Sequence, residues 1–229
     1  MNPKIIFFDV DGTLIDFSVY ATHFLERACA RHGLPFSQEL VRSLLETNDE
    51  LWQEIEKGTL TRDELHRIRF SVAFGKVGIT PARPDVIEAE FRKEIFDAAD
   101  AFDGAKETLG YLAEKYTLCV ASNAPLDQQT SRLKKAGLLP YFTRVFTSGE
   151  LGSDKPSKEF WDKIFSRLGD IKPCETVLVG DSPTADLSGG NAYGIKTCWF
   201  NDGGKRKERY PCDYEIHNLR ELKKNVLIR

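Results

Sequence analysis

The run Asp9-Val-Asp11-Gly-Thr13 sets two carboxylates two residues apart at the end of an apolar stretch, followed by a glycine and a hydroxyl. Carboxylates that close repel, so a cation between them is expected, and an all-oxygen donor set suits a hard ion such as Mg²⁺. Gly12 permits the irregular turn that would point both side chains the same way. Three further polar clusters follow: Ser122-Asn123, Lys155-Pro156 and Gly180-Asp-Ser-Pro-Thr-Ala-Asp186. Asp181 would add a third oxygen, and Asp186 would either ligate through water or orient Lys155. With the charge neutralised, Asp9 can attack phosphorus as a carboxylate nucleophile. Asp11 can then protonate the leaving oxygen and later activate water. Thr13, the Ser122 hydroxyl, the Asn123 backbone N–H and the Lys155 ammonium are the candidates to hold the phosphoryl oxygens. Each cluster alone has a plainer alternative: a Ca²⁺ loop or turn, a helix cap, an exposed helix start. Their order along the chain, each tied to a strand end, is what coincidence does not explain.

The elements that must position these residues follow from periodicity. Lys4-Ile-Ile-Phe-Phe8 is a short apolar run without polar alternation, which suits a strand covered on both faces. From Phe17 to about Ile95 the pattern is helical and shows no strand. Phe17, Ala21, Phe24 and Ala28 share one face; Leu40, Leu44, Leu51 and Ile55 share another, joined by Val41, Leu45 and Trp52. Ser37 caps the second helix, which ends near Gly58; Thr61-Arg-Asp-Glu64 is a capping box opening a third; Pro84 suits the first turn of a fourth. From Phe102 onward strands at 117–121, 144–147, 176–179, 196–200 and 213–216 alternate with helices at 105–115, 127–136 and 157–168. That alternation predicts βαβ units and a Rossmann-like, doubly wound parallel sheet. The expected division is an α/β core from residues 1–15 and 100–229, interrupted by a helical insert at 16–99. In open parallel sheets the ligand crevice lies outside the carboxyl ends of the strands, where all four clusters would converge.

Composition narrows the function. The chain is 229 residues, 41% hydrophobic and 29% charged, with a formal net charge of −3. It lacks the basic stripe of a nucleic-acid binder, and no apolar run approaches the roughly 20 residues that span a bilayer. Charged, structured-looking sequence begins by Asp9, so no signal peptide is expected. The five cysteines, Cys29, Cys119, Cys174, Cys198 and Cys212, form no CxxC pair and suit reduced thiols in a cytoplasmic protein. Gly203-Gly-Lys-Arg-Lys-Glu-Arg209 is a charged surface loop, with a phosphate or partner role as its alternative. His23, His32, His66 and His217 show no ligand spacing.

Asp9-x-Asp11-Gly-Thr13, Ser122-Asn123, Lys155-Pro156 and Gly180-Asp181-Ser-x-x-x-Asp186 resemble, in order, the four motifs of the haloacid dehalogenase superfamily of phosphohydrolases. The resemblance covers the whole chain and implies that the helical insert is a small all-α cap of the C1 type. It implies Asp9 as nucleophile, Asp11 as acid/base, and Mg²⁺ held by Asp9, the Asp11 carbonyl and Asp181. The dehalogenases of the superfamily lack an aspartate at the position of Asp11, which favours phosphoryl chemistry here. Leu51-Trp-Gln-Glu-Ile-Glu-Lys-Gly58, Arg69-Phe70, Ser122-Asn-Ala-Pro-Leu-Asp-Gln-Gln-Thr130 and Thr197-Cys-Trp-Phe-Asn201 resemble its pyrimidine 5′-nucleotidase branch. That branch implies a nucleoside 5′-monophosphate as the small phosphomonoester substrate. The expected assembly is a monomer or homodimer. Such a cap would exclude water and select substrates. Trp52 and Arg69 are the cap candidates to contact a base. Against this stand a core position for Trp52 and a structural ion pair for Arg69. The competing functions are a phosphatase of another small metabolite, such as phosphoglycolate or a sugar phosphate, a mutase, and a non-catalytic phosphate-binding module.

Overall fold

The computed structural model describes residues 3–204 and 208–224, so part of the Gly203–Arg209 loop lies outside the described residues. The chain divides into two compact units. One takes the chain up to Asp16 and from Ala99 onward, and the other is Phe17–Ala98.

The first unit is a six-stranded sheet. Its strands are β1 (Ile5–Phe8), β2 (Thr117–Ser122), β3 (Arg144–Thr147), β4 (Thr176–Gly180), β5 (Lys196–Phe200) and β6 (Tyr214–Ile216). They lie in the order β3-β2-β1-β4-β5-β6 and every pairing is parallel. Phe8 stands level with Val120 on one side and Val179 on the other. The apolar run of β1 follows from burial on both faces. Ile6 and Phe8 join one core with Val120, Val179 and Leu109, while Ile5 and Phe7 join another with Phe160, Trp161 and Phe165. Helices α5 (Ala105–Ala113) and α6 (Leu126–Lys135) contribute to the first core, and α8 (Lys158–Ser166) to the second, with the one-turn α7 (Ser148–Leu151) ahead of it. The parallel sheet and its helices agree with the expected fold class. Strand order reverses direction between β1 and β4, the place where such sheets bind ligands.

After Asp181 the chain forms a π-helical turn over Pro183–Ser188 that continues into the short α9 (Gly189–Tyr193). Single π-turns of this kind are frequent at functional sites.

The second unit is helical throughout its described residues: α1 (Phe17–His32), α2 (Gln38–Glu56), α3 (Arg62–Lys76) and α4 (Pro84–Glu94). The caps are those the sequence indicates. Ser37 accepts from the Leu40 N–H at 3.2 Å, and Thr61 and Glu64 form the reciprocal capping box. The core is aromatic, with Phe91 ringed by Phe17, Tyr20, Phe24 and Phe70 at centroid distances of 5.0–6.0 Å. Leu40, Val41 and Leu44 of α2 are buried in it. The stripe does not stay buried along the helix, because Leu51, Trp52 and Ile55 are only partly covered.

No helix among the described residues is long and apolar enough to cross a membrane. All five cysteines are free thiols. Cys29, Cys119 and Cys198 are buried, and burial pushes the Cys119 thiol up to about 11. Low thiolate content makes such side chains packing groups.

Candidate active site

β1 ends in a tight turn that carries the acidic pair. The N–H groups of Leu14 and Ile15 both donate to the Val10 carbonyl at 2.9 Å, and Gly12 N–H donates to the Ile15 carbonyl at 3.0 Å. Gly12 has φ +81°, and a Cβ there would sit 2.5 Å from Asp181 Oδ2. Only glycine fits this position. The turn therefore sets its backbone directly against the carboxylate at the end of β4. Gly180 is constrained in the same way, since a Cβ on it would meet Asp186 Oδ2 at 2.2 Å.

Asp9, Asp181 and Asp186 come together, each offering a carboxylate oxygen within 4.8 Å of the others. Lys155 enters this group from the loop between α7 and α8. Its ammonium donates to Asp9 Oδ1 and to Asp186 Oδ1, both at 2.7 Å, and the side chain is 2% exposed. Asn123 fixes that loop: its side-chain amide donates to the Lys155 carbonyl and accepts the Lys155 N–H, each at 2.8 Å. The Asp186 carboxylate takes a second hydrogen bond from the Ser182 N–H at 3.1 Å. Thr13, fully buried, donates to Asp181 Oδ1 at 3.0 Å, and the Trp199 indole N–H donates to the Asp181 carbonyl at 3.2 Å.

Electrostatics distinguish these groups. Burial pushes the Asp9 carboxyl up to about 7, with Asp186 adding to the rise and Lys155 opposing it. Burial works against the charged form of Lys155, but Asp186 and Asp9 outweigh it and hold the ammonium above its ordinary value. Lys155 therefore stays a cation. Asp9, Asp181 and Asp186 cluster together, and the one buried ammonium of Lys155 pairs with two of these three carboxylates. The all-oxygen carboxylate cluster fits a hard divalent cation such as Mg²⁺.

Asp11 stands apart from this cluster. Its carboxylate turns to α6, where Gln129 Nε2 donates to Oδ2 at 2.7 Å and Arg132 Nη1 lies 2.5 Å from Oδ1. Gln129 also donates to the Ser122 hydroxyl at 2.9 Å. Of the expected site residues, Asp9, Asp11, Thr13, Ser122, Asn123, Lys155, Asp181 and Asp186 all belong to this unit and are linked by these contacts. Thr13 spends its hydroxyl on Asp181, and the Asn123 side chain holds the Lys155 loop. Trp52 and Arg69 belong to the helical unit. Arg69 is buried in an ion pair with Glu88 (2.6 Å and 3.1 Å), bonds Asn48 Oδ1 at 3.0 Å and stacks 4.4 Å over Phe91. It is the structural ion pair. Trp52 is partly exposed, with the Arg62 guanidinium 5.7 Å over its ring, so it is not the core residue its stripe suggested.

Gln129 and Arg132 are the contributors that sequence reasoning missed. Their i, i+3 spacing on a helix opening just after Ser122-Asn123 was the available signal. Arg132 lies in the last turn beside Lys134 and Lys135, where a cation is ordinarily a surface residue complementing the helix dipole.

The parallel sheet in this strand order carries a carboxylate–lysine cluster at its switch point. The chain belongs to the haloacid dehalogenase-like hydrolases, whose family model matches residues 3–194. It is 32% identical to the HAD-hydrolase YfnB of Bacillus subtilis, over 96% of this chain and 93% of that one. The structure of YfnB bound to magnesium matches with a TM-score of 0.88, at 30% identity over 99% of both chains. The pyrimidine 5′-nucleotidase PynA of Streptococcus pneumoniae is 30% identical over 99% of this chain and 98% of its own. The pyrimidine 5′-nucleotidase YjjG of Escherichia coli is 26% identical over 95% of both.

Proposed function

We propose that this protein is a Mg²⁺-dependent phosphatase that hydrolyses a small phosphomonoester, a nucleoside 5′-monophosphate, through an aspartyl-phosphate on Asp9. The observation that carries the reading is the meeting of Asp9, Asp181 and Asp186, with the Lys155 ammonium joining Asp9 to Asp186 and Asp11 held separately beside them. A binding module needs cations to hold phosphate, but not a buried carboxylate nucleophile and a second carboxylate placed for proton transfer. Asp9, Asp181 and Asp186 would hold the ion, which supplies positive charge that offsets substrate phosphate and favours the ionised form of Asp9. The Asp9 carboxylate attacks phosphorus, the ester P–O bond breaks, and the leaving oxygen takes a proton from Asp11. In the second half, Asp11 accepts a proton from water as that water attacks phosphorus. The bond to Asp9 breaks and inorganic phosphate leaves. Lys155 and Ser122 stabilise the charge on the phosphoryl oxygens.

The nucleotide assignment draws support from PynA and YjjG, both named pyrimidine 5′-nucleotidases and both matched nearly end to end. It is tested by phosphate release with Mg²⁺ across pyrimidine and purine monophosphates, sugar phosphates and phosphoglycolate. The expected result is the highest kcat/KM on pyrimidine monophosphates and none with Asp9→Asn. A preference for sugar phosphates or phosphoglycolate would overturn the substrate, and turnover surviving exhaustive chelation would overturn the metal.

A further inference from the structure

α6 buries polar side chains where a helix normally buries apolar ones. Gln129 and Arg132 are both 0% exposed and, with Leu133, make up its buried face. Taking a guanidinium out of water is unfavourable unless its partners offset the loss, and packing alone is better served by an apolar residue. Arg132 Nη1 donates to Gln129 Oε1 at 3.2 Å and lies 2.5 Å from Asp11 Oδ1. Arginine carries only donors, so the oxygen of the Gln129 amide must face it. That settles the amide's orientation and aims its two N–H bonds at Asp11 Oδ2 (2.7 Å) and the Ser122 hydroxyl (2.9 Å). Gln129 thus ties the carboxylate assigned to proton transfer to a hydroxyl assigned to the phosphoryl group, although Asp11 and Ser122 come from different strands. The Asp11 side chain remains 36% exposed, so it is gripped from behind and open in front.

We propose that Gln129 and Arg132 are positioning residues for the reaction. They hold the Asp11 carboxylate at a set place relative to Ser122, so that its proton reaches the leaving oxygen in the transition state. This rests on the reading of Asp11 as acid/base. A misplaced acid matters most when the leaving oxygen is a poor leaving group, because proton donation is then indispensable, and least for an activated aryl ester. A purely structural pair would affect both esters alike.

The experiment compares kcat/KM, with Mg²⁺ present, for a pyrimidine nucleoside monophosphate and for para-nitrophenyl phosphate. The proteins are wild type, Arg132→Met, Arg132→Lys, Gln129→Leu, Asp11→Asn, Asp9→Asn, and the two doubles that combine Asp11→Asn with Arg132→Met or with Gln129→Leu. Arg132→Met and Gln129→Leu are expected to lose about 100-fold on the nucleotide, chiefly in kcat, and far less on the aryl ester. Arg132→Lys should recover part of the loss, and neither substitution should add to the loss in an Asp11→Asn background. Equal losses on both esters, or a change confined to KM, would overturn the positioning role. If Arg132→Met fails to fold, Gln129→Leu and Arg132→Lys carry the same comparison. An Asp9→Asn enzyme as active as wild type would instead remove the aspartyl-phosphate reading and this inference with it. An inactive Asp9→Asn beside ester-independent losses would remove this inference alone.

Discussion

Asp9 and Asp11 are two residues apart and meet different surroundings. Asp9 is 8% exposed, bound by Lys155 and pushed up to about 7 by burial, whereas Asp11 faces Gln129 and Arg132 on α6. On the proposed reading Asp9 is the shielded nucleophile and Asp11 passes protons at an open edge. A carboxyl whose folded pKa is raised is better protonated in the fold. Its contribution to stability is therefore complete below the unfolded value of 3.8 and is lost as pH rises to about 7. In metal-free buffer Asp9→Asn is expected to be more stable than wild type at neutral pH, by on the order of a few kcal/mol. The gap should close as pH falls toward about 4 in urea unfolding, and a gap independent of pH would count against the buried-carboxylate account. Added Mg²⁺ should raise the unfolding temperature of wild type by mass action, while Asp181→Asn shows no such rise. An equal rise in both would show that the ion is held elsewhere.

At the scale of elements, the turn after β1 decides whether the site exists. It brings the backbone of Gly12 against Asp181 at the end of β4, with positive φ. Gly12→Ala adds a methyl 2.5 Å from Asp181 Oδ2, which must displace either the turn or the carboxylate. The expected cost is about 1–3 kcal/mol of stability. Loss of the Mg²⁺-induced thermal shift should accompany it, and an unchanged shift would show the contact to be dispensable. α6 and α2 show the limit of periodicity from opposite sides. α6 buries an arginine and a glutamine that its pattern offers to solvent, whereas α2 leaves Leu51, Trp52 and Ile55 only partly covered on an apolar stripe. A helical period gives the angle at which a residue projects. What lies in that direction is a matter of tertiary contact.

Over the whole molecule, each unit has its own core, aromatic in the helical one and strand-based in the other. Phe91 is fully buried among four rings. Phe91→Ala should cost about 3–5 kcal/mol, borne by the helical unit. Hydrogen exchange would then show protection lost in α1–α4 while β1 and β4 keep theirs. Simultaneous loss in both would mean that the units unfold as one.

Much was legible from the chain alone because the relevant physics is local. The bounds of β3 and β5, the Ser37 and Thr61 caps and the acidic turn at Gly12 depend on residues within a few positions of one another. The convergence of the four clusters was legible too, through the rule that parallel strands point their carboxyl ends at one crevice. The pairing of Asp186 with Lys155 was one of two roles read for Asp186, but the partners of Asp9 and Asp11 were not legible. Lys155 meets Asp9 across 146 positions, and Arg132 and Gln129 reach Asp11 from another strand's helix. The types of residue that could do chemistry, and the strand ends that carry them, were determined by sequence. Which charge faces which was decided by strand order and by burial, because a buried cation must find its counter-charge wherever the packed fold leaves one.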